Sequence, residues 1–218
     1  MIRFLLENWR QALVLTGEHL SLVAAATGLA ALLGVPLGIF ISVRRHLARP
    51  VLDLAGVLMT VPSIALFGLM MPLLAIFNAG LGNVPAVTAL VLYSQLPIIR
   101  NTYTAINNID EGIIDSARGM GLSPGEILRE VKLPLALPVI IAGVRIAVVM
   151  NIGILTIGVY IGSDGLGKFI QRGIDQAYRE QIMAGALLVS VLAIVIEVIF
   201  YLLEWKLTPE GVSNDENE

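Results

Sequence analysis

The chain has no cysteine. Disulfides, thiolate zinc sites and cysteine nucleophiles are therefore excluded. Imidazole is nearly as scarce. Only His19 and His46 supply it, one near each end of the first apolar stretch, so no histidine-built metal site is expected. Charged residues make up 14% of the chain, where a soluble domain carries roughly 25%. The net charge is −3 and no basic patch stands out, which argues against a nucleic-acid partner. No Gly-x-x-x-x-Gly-Lys-Ser/Thr phosphate loop occurs among the 218 residues. No cofactor is expected in this chain, and any ATP must be bound by a separate protein.

What the chain has in excess is apolar surface. Hydrophobic residues make up 56% and the mean hydropathy is +0.83. A water-soluble globule of this size needs far more polar surface to cover its core. An ordinary cytosolic enzyme and a disordered chain are both excluded. The expected class is an all-α polytopic membrane protein.

A bilayer core about 30 Å thick takes about 20 helical residues. Leu20–Val43 carries no charge and fits one span. Leu54–Ile99 is also free of charge but too long for one helix, and the turn formers from Asn78 to Pro85 break it. The second span is expected near Val51–Phe77 and the third near Val84–Asn101. Leu135–Ile161 and Ile182–Leu203 follow, giving about five spans in all. Residues 1–18 read as an interfacial amphipathic helix, with Ile2, Leu5, Leu6, Trp9 and Leu13 on one face. No cleaved signal peptide is expected, because the first apolar run is too long. Residues 19–205 form the membrane domain, and 206–218 an acidic cytoplasmic tail, expected to be disordered. Gly28, Gly34, Pro36, Gly38, Gly143 and Gly153 fit either close helix packing or ordinary membrane composition. Lys and Arg favour the side holding the 44–46 loop, the 107–132 segment and the C-terminus. The N-terminus is therefore expected outside and the C-terminus inside.

The polar stretch between the third and fourth spans reads as helix–turn–helix. Ile109, Ile113, Ile114, Ala117 and Met120 recur at helical spacing, and Gly121 is a stop. Ser123-Pro124-Gly125-Glu126 restarts the chain with a capping box, and Leu133-Pro134 ends the second helix. A compact apolar knob with a charged rim suits a partner's groove. On physics alone it equally suits a loop resting on the membrane surface.

Asp115-Ser116-Ala117, three residues, Gly121, nine residues, Val131, one residue, Leu133-Pro134 resembles the EAA motif of ABC importer permeases. The spacing matches throughout, with Asp115, Ser116 and Val131 departing conservatively from Glu, Ala and Ile. The resemblance implies a type I importer fold in which segment 107–134 is a coupling helix. Asp115, Ser116, Ala117, Gly121, Val131, Leu133 and Pro134 would then couple it to ABC ATPase subunits. It further implies a second permease copy or homologue, an extracellular or periplasmic solute-binding protein and a lipid bilayer as partners, in a bacterial cytoplasmic membrane.

Thr60-Val61-Pro62-Ser63, Leu96–Asn101, Gly112–Asp115, Leu135–Gly153 and Gly162–Ile174 resemble osmoprotectant permeases in particular. The cargo implied is glycine betaine, carnitine or choline, though methionine permeases share much of this pattern. Such cations are held in aromatic cages. With two Trp, five Tyr and six Phe spread along the chain, no cage is expected here. The 163–181 segment is either a docking face for the solute-binding protein or a solvated loop resting on the membrane.

Within the spans, Arg145 and Glu197 either face each other, or a polar partner in the bundle, or snorkel to the headgroups. Asn151, Thr156, Ser94 and Gln95 more often bond between helices than line a path. The rival classes are an intramembrane enzyme, which needs a cluster of ionisable groups that this chain lacks, and a passive channel, which needs no docking loop.

Overall fold

The structure is a computed structural model that describes residues 1–207. The acidic tail falls almost entirely on 208–218 and so lies outside the described residues. Every regular element described is helical. In chain order they are α1 (Ile2–Glu7), α2 (Trp9–Val43), a 3-10 turn (Arg45–Leu47), α3 (Ala48–Thr60), α4 (Ser63–Ala75), α5 (Asn83–Asn107), α6 (Glu111–Gly119), α7 (Pro124–Glu126), a π turn (Ile127–Lys132), α8 (Leu133–Gly158), a 3-10 turn (Val159–Ile161), α9 (Gly167–Asp175) and α10 (Arg179–Leu207).

Among the described residues, three helices are long and apolar enough to cross a membrane by themselves: Trp9–Val43, Pro124–Ile161 and Arg179–Lys206. A bent pair, Arg45–Thr60 and Ser63–Ala75, makes up to four. This is fewer than the five spans expected. The remaining apolar segment, α5, holds Ser94, Gln95, Arg100 and Asn101, which dilute its apolar character. It packs against α2, α3, α4 and α8 at the centre of the bundle. A helix jacketed by protein need not be apolar all round.

The second span is also not one helix. It breaks at Val61-Pro62, with 101° between its halves. Pro62 has no N–H and disfavours helical backbone at the residue before it, and Val61 is extended at φ −66°, ψ 128°. The break is satisfied from inside: the Tyr93 hydroxyl of α5 donates to the Val61 carbonyl. In lipid a freed carbonyl needs such a partner.

Helix α2 runs unbroken from Trp9 to Val43, 35 residues, across positions 18 and 19. The N-terminal helix is anchored by protein contacts. Phe4 is buried edge-on against Phe169 at 5.6 Å and Tyr178 at 5.7 Å. Of the expected apolar stripe, Ile2, Leu6, Trp9 and Leu13 are exposed, while Leu5 packs with Phe4 against the cluster around Phe169. Aromatic residues therefore do gather here, contrary to the sequence reading. Their edge-to-face packing fills the space that a cation would need.

The core is where α2, α5 and α8 meet. A Cβ on Gly38 would stand 2.6 Å from Thr102, and one on Gly143 would stand 2.7 Å from Asn101 and 3.0 Å from the Pro97 carbonyl. These glycines let the backbones touch. Gly28, Gly68 and Gly153 have nothing within 4 Å and follow membrane composition alone. Further along the same helices the largest cluster packs Val23, Ala26, Ala86, Leu90 and Ile152 with Phe67 of α4.

Arg145 bridges α8 to α10, 3.1 Å from Glu197 and 3.2 Å from Glu204. The pairing with Glu197 matches one sequence expectation; Glu204, on the same face two turns on, is an addition. Removing the arginine leaves two neighbouring carboxylates facing one another, whereas removing Glu197 leaves one pair intact. Arg145→Gln should therefore lower the Tm of purified protein by roughly 5–10 °C and Glu197→Gln by about 2 °C. Equal losses in a thermal unfolding assay would show that the site is not shared.

Candidate functional site

At one end of the bundle the chain leaves α5 and builds a short hairpin. Asp110 caps α6, its side chain accepting from the Gly112 N–H at 2.7 Å. Glu111 in the first turn and Arg118 in the last complement the helix dipole. The helix stops at Gly121, whose φ of +87° is open to glycine but strained for most residues. The Leu122 N–H reaches back to the Ala117 carbonyl at 3.2 Å and the Gly121 N–H to Arg118 at 2.9 Å, the bonding of a glycine-terminated helix. Ser123 and Glu126 then form the expected capping box: the Ser123 N–H donates to the Glu126 carboxylate at 2.7 Å. These bonds to Ser123 hold the Glu126 carboxyl below the usual glutamate range.

Beyond the box the reading needs correction. Leu133-Pro134 does not end a helix. The chain runs helically from Pro124 to Ile161, 38 residues, through the π turn. In α geometry Pro134 would press on the Glu130 carbonyl and offer it no N–H. The π turn widens the rod at that point: the Leu133 N–H bonds to Leu128, five residues back. The hairpin and the longest apolar rod are thus one piece.

The seven candidate residues divide into two sets. Ala117 is buried at 2% exposure, and α6 packs on the π turn, where Ile127 is equally buried. Val131 and Leu133 are partly buried beside it. These residues hold the hairpin. Asp115, Ser116, Gly121 and Pro134 face outward. Asp115 pairs with Arg118 at 2.8 Å, and the Ser116 hydroxyl donates to the Gly112 carbonyl at 2.8 Å. Between them Ile113 and Met120 stand exposed, Met120 at 75%. Both belong to the apolar set that the helical spacing marked as a knob for a partner's groove.

The opposite end of the bundle is closed by a hydrogen-bonded lattice. Asn83 donates to Asp164 at 2.8 Å and accepts the Asp164 N–H at 2.8 Å. Lys168 pairs with Asp164 and lies 4.0 Å from Glu18. The Gly82 N–H donates to the Ile161 carbonyl at 2.8 Å. Fully buried His19 joins α2 to this lattice. Its Nδ1 accepts the Leu166 N–H at 3.3 Å, which leaves Nε2 to donate to the Ile152 carbonyl at 3.0 Å. A lone histidine in an apolar stretch was the only sequence signal for this role. The Lys168 and Asn83 hydrogen bonds hold the Asp164 carboxyl below the usual aspartate range.

Midway between the ends, Asn151 of α8 donates to Ser94 of α5 at 2.8 Å and to Thr27 of α2 at 3.1 Å, all three buried. Asn151 and Ser94 thus tie helices together, the commoner fate of such residues. Gln95 and Thr156 bond to carbonyls of their own helices.

Comparison with known proteins follows the same outline. Residues 34–209 match the family described as binding-protein-dependent transport system inner membrane component. The chain is 47% identical over 211 residues to the osmoprotectant import permease protein OsmW of Salmonella typhimurium, covering 97% of this chain and 98% of that protein. It is 39% identical to the choline transport system permease protein OpuBB of Bacillus subtilis, covering 97% and 95%. Among solved structures, an inward-facing form of the MetNI methionine ABC transporter matches with a TM-score of 0.82 at 25% identity, over 91% of this chain and 97% of that one.

The lattice around Asp164 yields a pH test. The folded carboxyl titrates below the unfolded aspartate value of about 3.9. Its stabilisation is therefore complete well above pH 4 and is lost as pH falls through the lowered folded value. In Asp164→Asn, the stability difference from wild type should be constant from pH 8 to pH 5 and shrink below pH 4. A difference that persists unchanged at pH 3 would rule out the ionised lattice.

Proposed function

Because this chain belongs to the family of binding-protein-dependent transport system inner membrane components, we propose that it is the permease of an ABC importer for a quaternary-ammonium osmoprotectant such as glycine betaine, choline or carnitine. It is a multi-pass inner membrane permease, not an enzyme. The cargo reading rests on its likeness over nearly full length to permeases named for osmoprotectant and for choline.

The observation that carries the mechanism is the hairpin 107–134, folded, outward-facing and continuous with a 38-residue rod. It docks on an ATPase subunit in the cytoplasm. Ile113 and Met120 enter a groove on that subunit, with Asp115, Arg118 and Gly121 at its rim. Ala117, Val131 and Leu133 hold the hairpin to the rod, and Pro134 stands at the joint between them. ATP binding draws the two ATPase subunits together, and the rods carry that movement into the bundle. The pathway opens outward, takes solute from an external binding protein, and returns inward after hydrolysis. A second permease copy or homologue completes the pathway. The N-terminus and the Asp164 lattice then lie outside and the chain end inside, with 1–18 at the membrane surface, 19–205 as membrane domain and 206–218 as cytoplasmic tail. The lattice end offers the binding protein its docking face. A methionine permease is the second reading, favoured by the structural likeness to MetNI.

Two experiments test this. Met120→Glu puts a charge on an exposed residue and should leave folded yield unchanged. It should reduce co-purification of the ATPase subunit at least tenfold, and retained co-purification would overturn the docking assignment. Uptake by the assembled importer should be competed by unlabelled betaine, choline or carnitine and not by methionine; the reverse pattern would establish the second reading.

A further inference from the structure

The rod that joins the hairpin to the membrane is weakest where force must pass. Pro134 and Pro138 lie four residues apart and remove two successive N–H donors from its helical ladder. Directly before them the π turn pairs the Leu133 N–H with Leu128 instead of Arg129. The neighbouring parts are firm. The capping box pins the start of the rod, and Gly143 is locked against the Pro97 carbonyl and Asn101 of α5. A rod held at both ends and loosened at one turn moves at that turn.

The two residues paired across the π turn are also those that seat it. Leu128 and Leu133 both pack against the apolar cluster that Ala105 and Ile106 at the end of α5 form with Ala136 and Ile140 of α8. Moving the Leu133 N–H from Leu128 to Arg129 would restore α pairing there and shift how the two leucines sit on that cluster. Packed side chains change seats in steps and do not slide, so such a joint has two discrete states.

We propose that the π turn at Ile127–Lys132 is a register switch, in which exchange of the Leu133 N–H between the Leu128 and Arg129 carbonyls turns the hairpin relative to α8 during the transport cycle. The proposal rests on the ATPase-coupling reading above. One residue of register is worth about 100° of rotation and about 1.5 Å of rise. Pro134 is a positioning residue: by opposing α pairing at Glu130, it keeps the two states close in energy.

The absence of cysteine lets two labels be placed with no background from this chain, and the partner subunits are used in cysteine-free form. The measurement uses the importer assembled with its ATPase and partner permease. Spin labels go on Asn108→Cys, at the end of α5, and on Arg129→Cys, on the exposed side of the turn. Their separation should change by about 5 Å or more between the nucleotide-free and ATP-trapped states, the arc swept by a side chain rotated through about 100°. In Pro134→Ala, which restores the missing N–H, the change should vanish and uptake per ATP hydrolysed should fall at least tenfold. A separation equal in both states of the otherwise native chain overturns the switch, whether or not Pro134→Ala folds. So does a Pro134→Ala chain whose uptake per ATP matches the native value. Failure of the ATPase to co-purify with the unlabelled native chain would instead refute the coupling reading itself.

Discussion

The structure depends on direct contact between the backbones of α2, α5 and α8. In lipid no hydrophobic drive pushes helices together, so close packing and interhelical hydrogen bonds must do it. Gly38 and Gly143 permit the approach, and Asn151 then reaches both Thr27 and Ser94. The glycines bring the backbones together towards the hairpin end, and the amide ties the same three helices midway, where Ser94 also bonds to the Leu90 carbonyl of its own helix. Everything mobile in the proposed mechanism is mounted on this fixed centre.

Lipid also explains how the chain handles its irregular segments. An open backbone group at depth costs several kcal/mol, so each break comes with its own partner. The Val61 carbonyl is met by Tyr93. Asn83, the Asp164 backbone and His19 meet the turns at the lattice end. The π turn re-pairs the ladder ahead of Pro134. The two ends of the bundle differ in kind as a result. One is cross-braced by side chains from four segments. The other is a single hairpin resting on one widened turn, which suits an end that moves.

The hairpin was largely legible in the sequence because its signals are local. A glycine stop, a capping box and apolar residues at helical spacing act within a few residues of one another, and the structure has the stop and the box in place. Its joint to the membrane was misread for a similar reason. Leu133-Pro134 looks like an ending when only nearest neighbours are weighed. Whether the chain stops or widens there depends on what Leu128 and Leu133 pack against, and those contacts come from α5. Glu204 and the bracing role of His19 were missed because their partners are remote in sequence, Ile152 lying 133 residues from His19.

By itself the sequence determined the class of the molecule, since scarcity of charge and abundance of apolar residues exclude a water-borne fold whatever the topology. It also determined the turn after Phe77 and the hairpin, where the deciding atoms are neighbours along the chain. The tertiary structure decided which apolar segments stand alone in lipid and which are jacketed by protein, and so why α5 can carry polar groups. It decided that the second span bends at Pro62 and that the fourth begins at Pro124. It decided which glycines touch a neighbour and which face open space. Each of these outcomes turns on the distance between residues far apart in the chain, and one-dimensional order does not hold that distance.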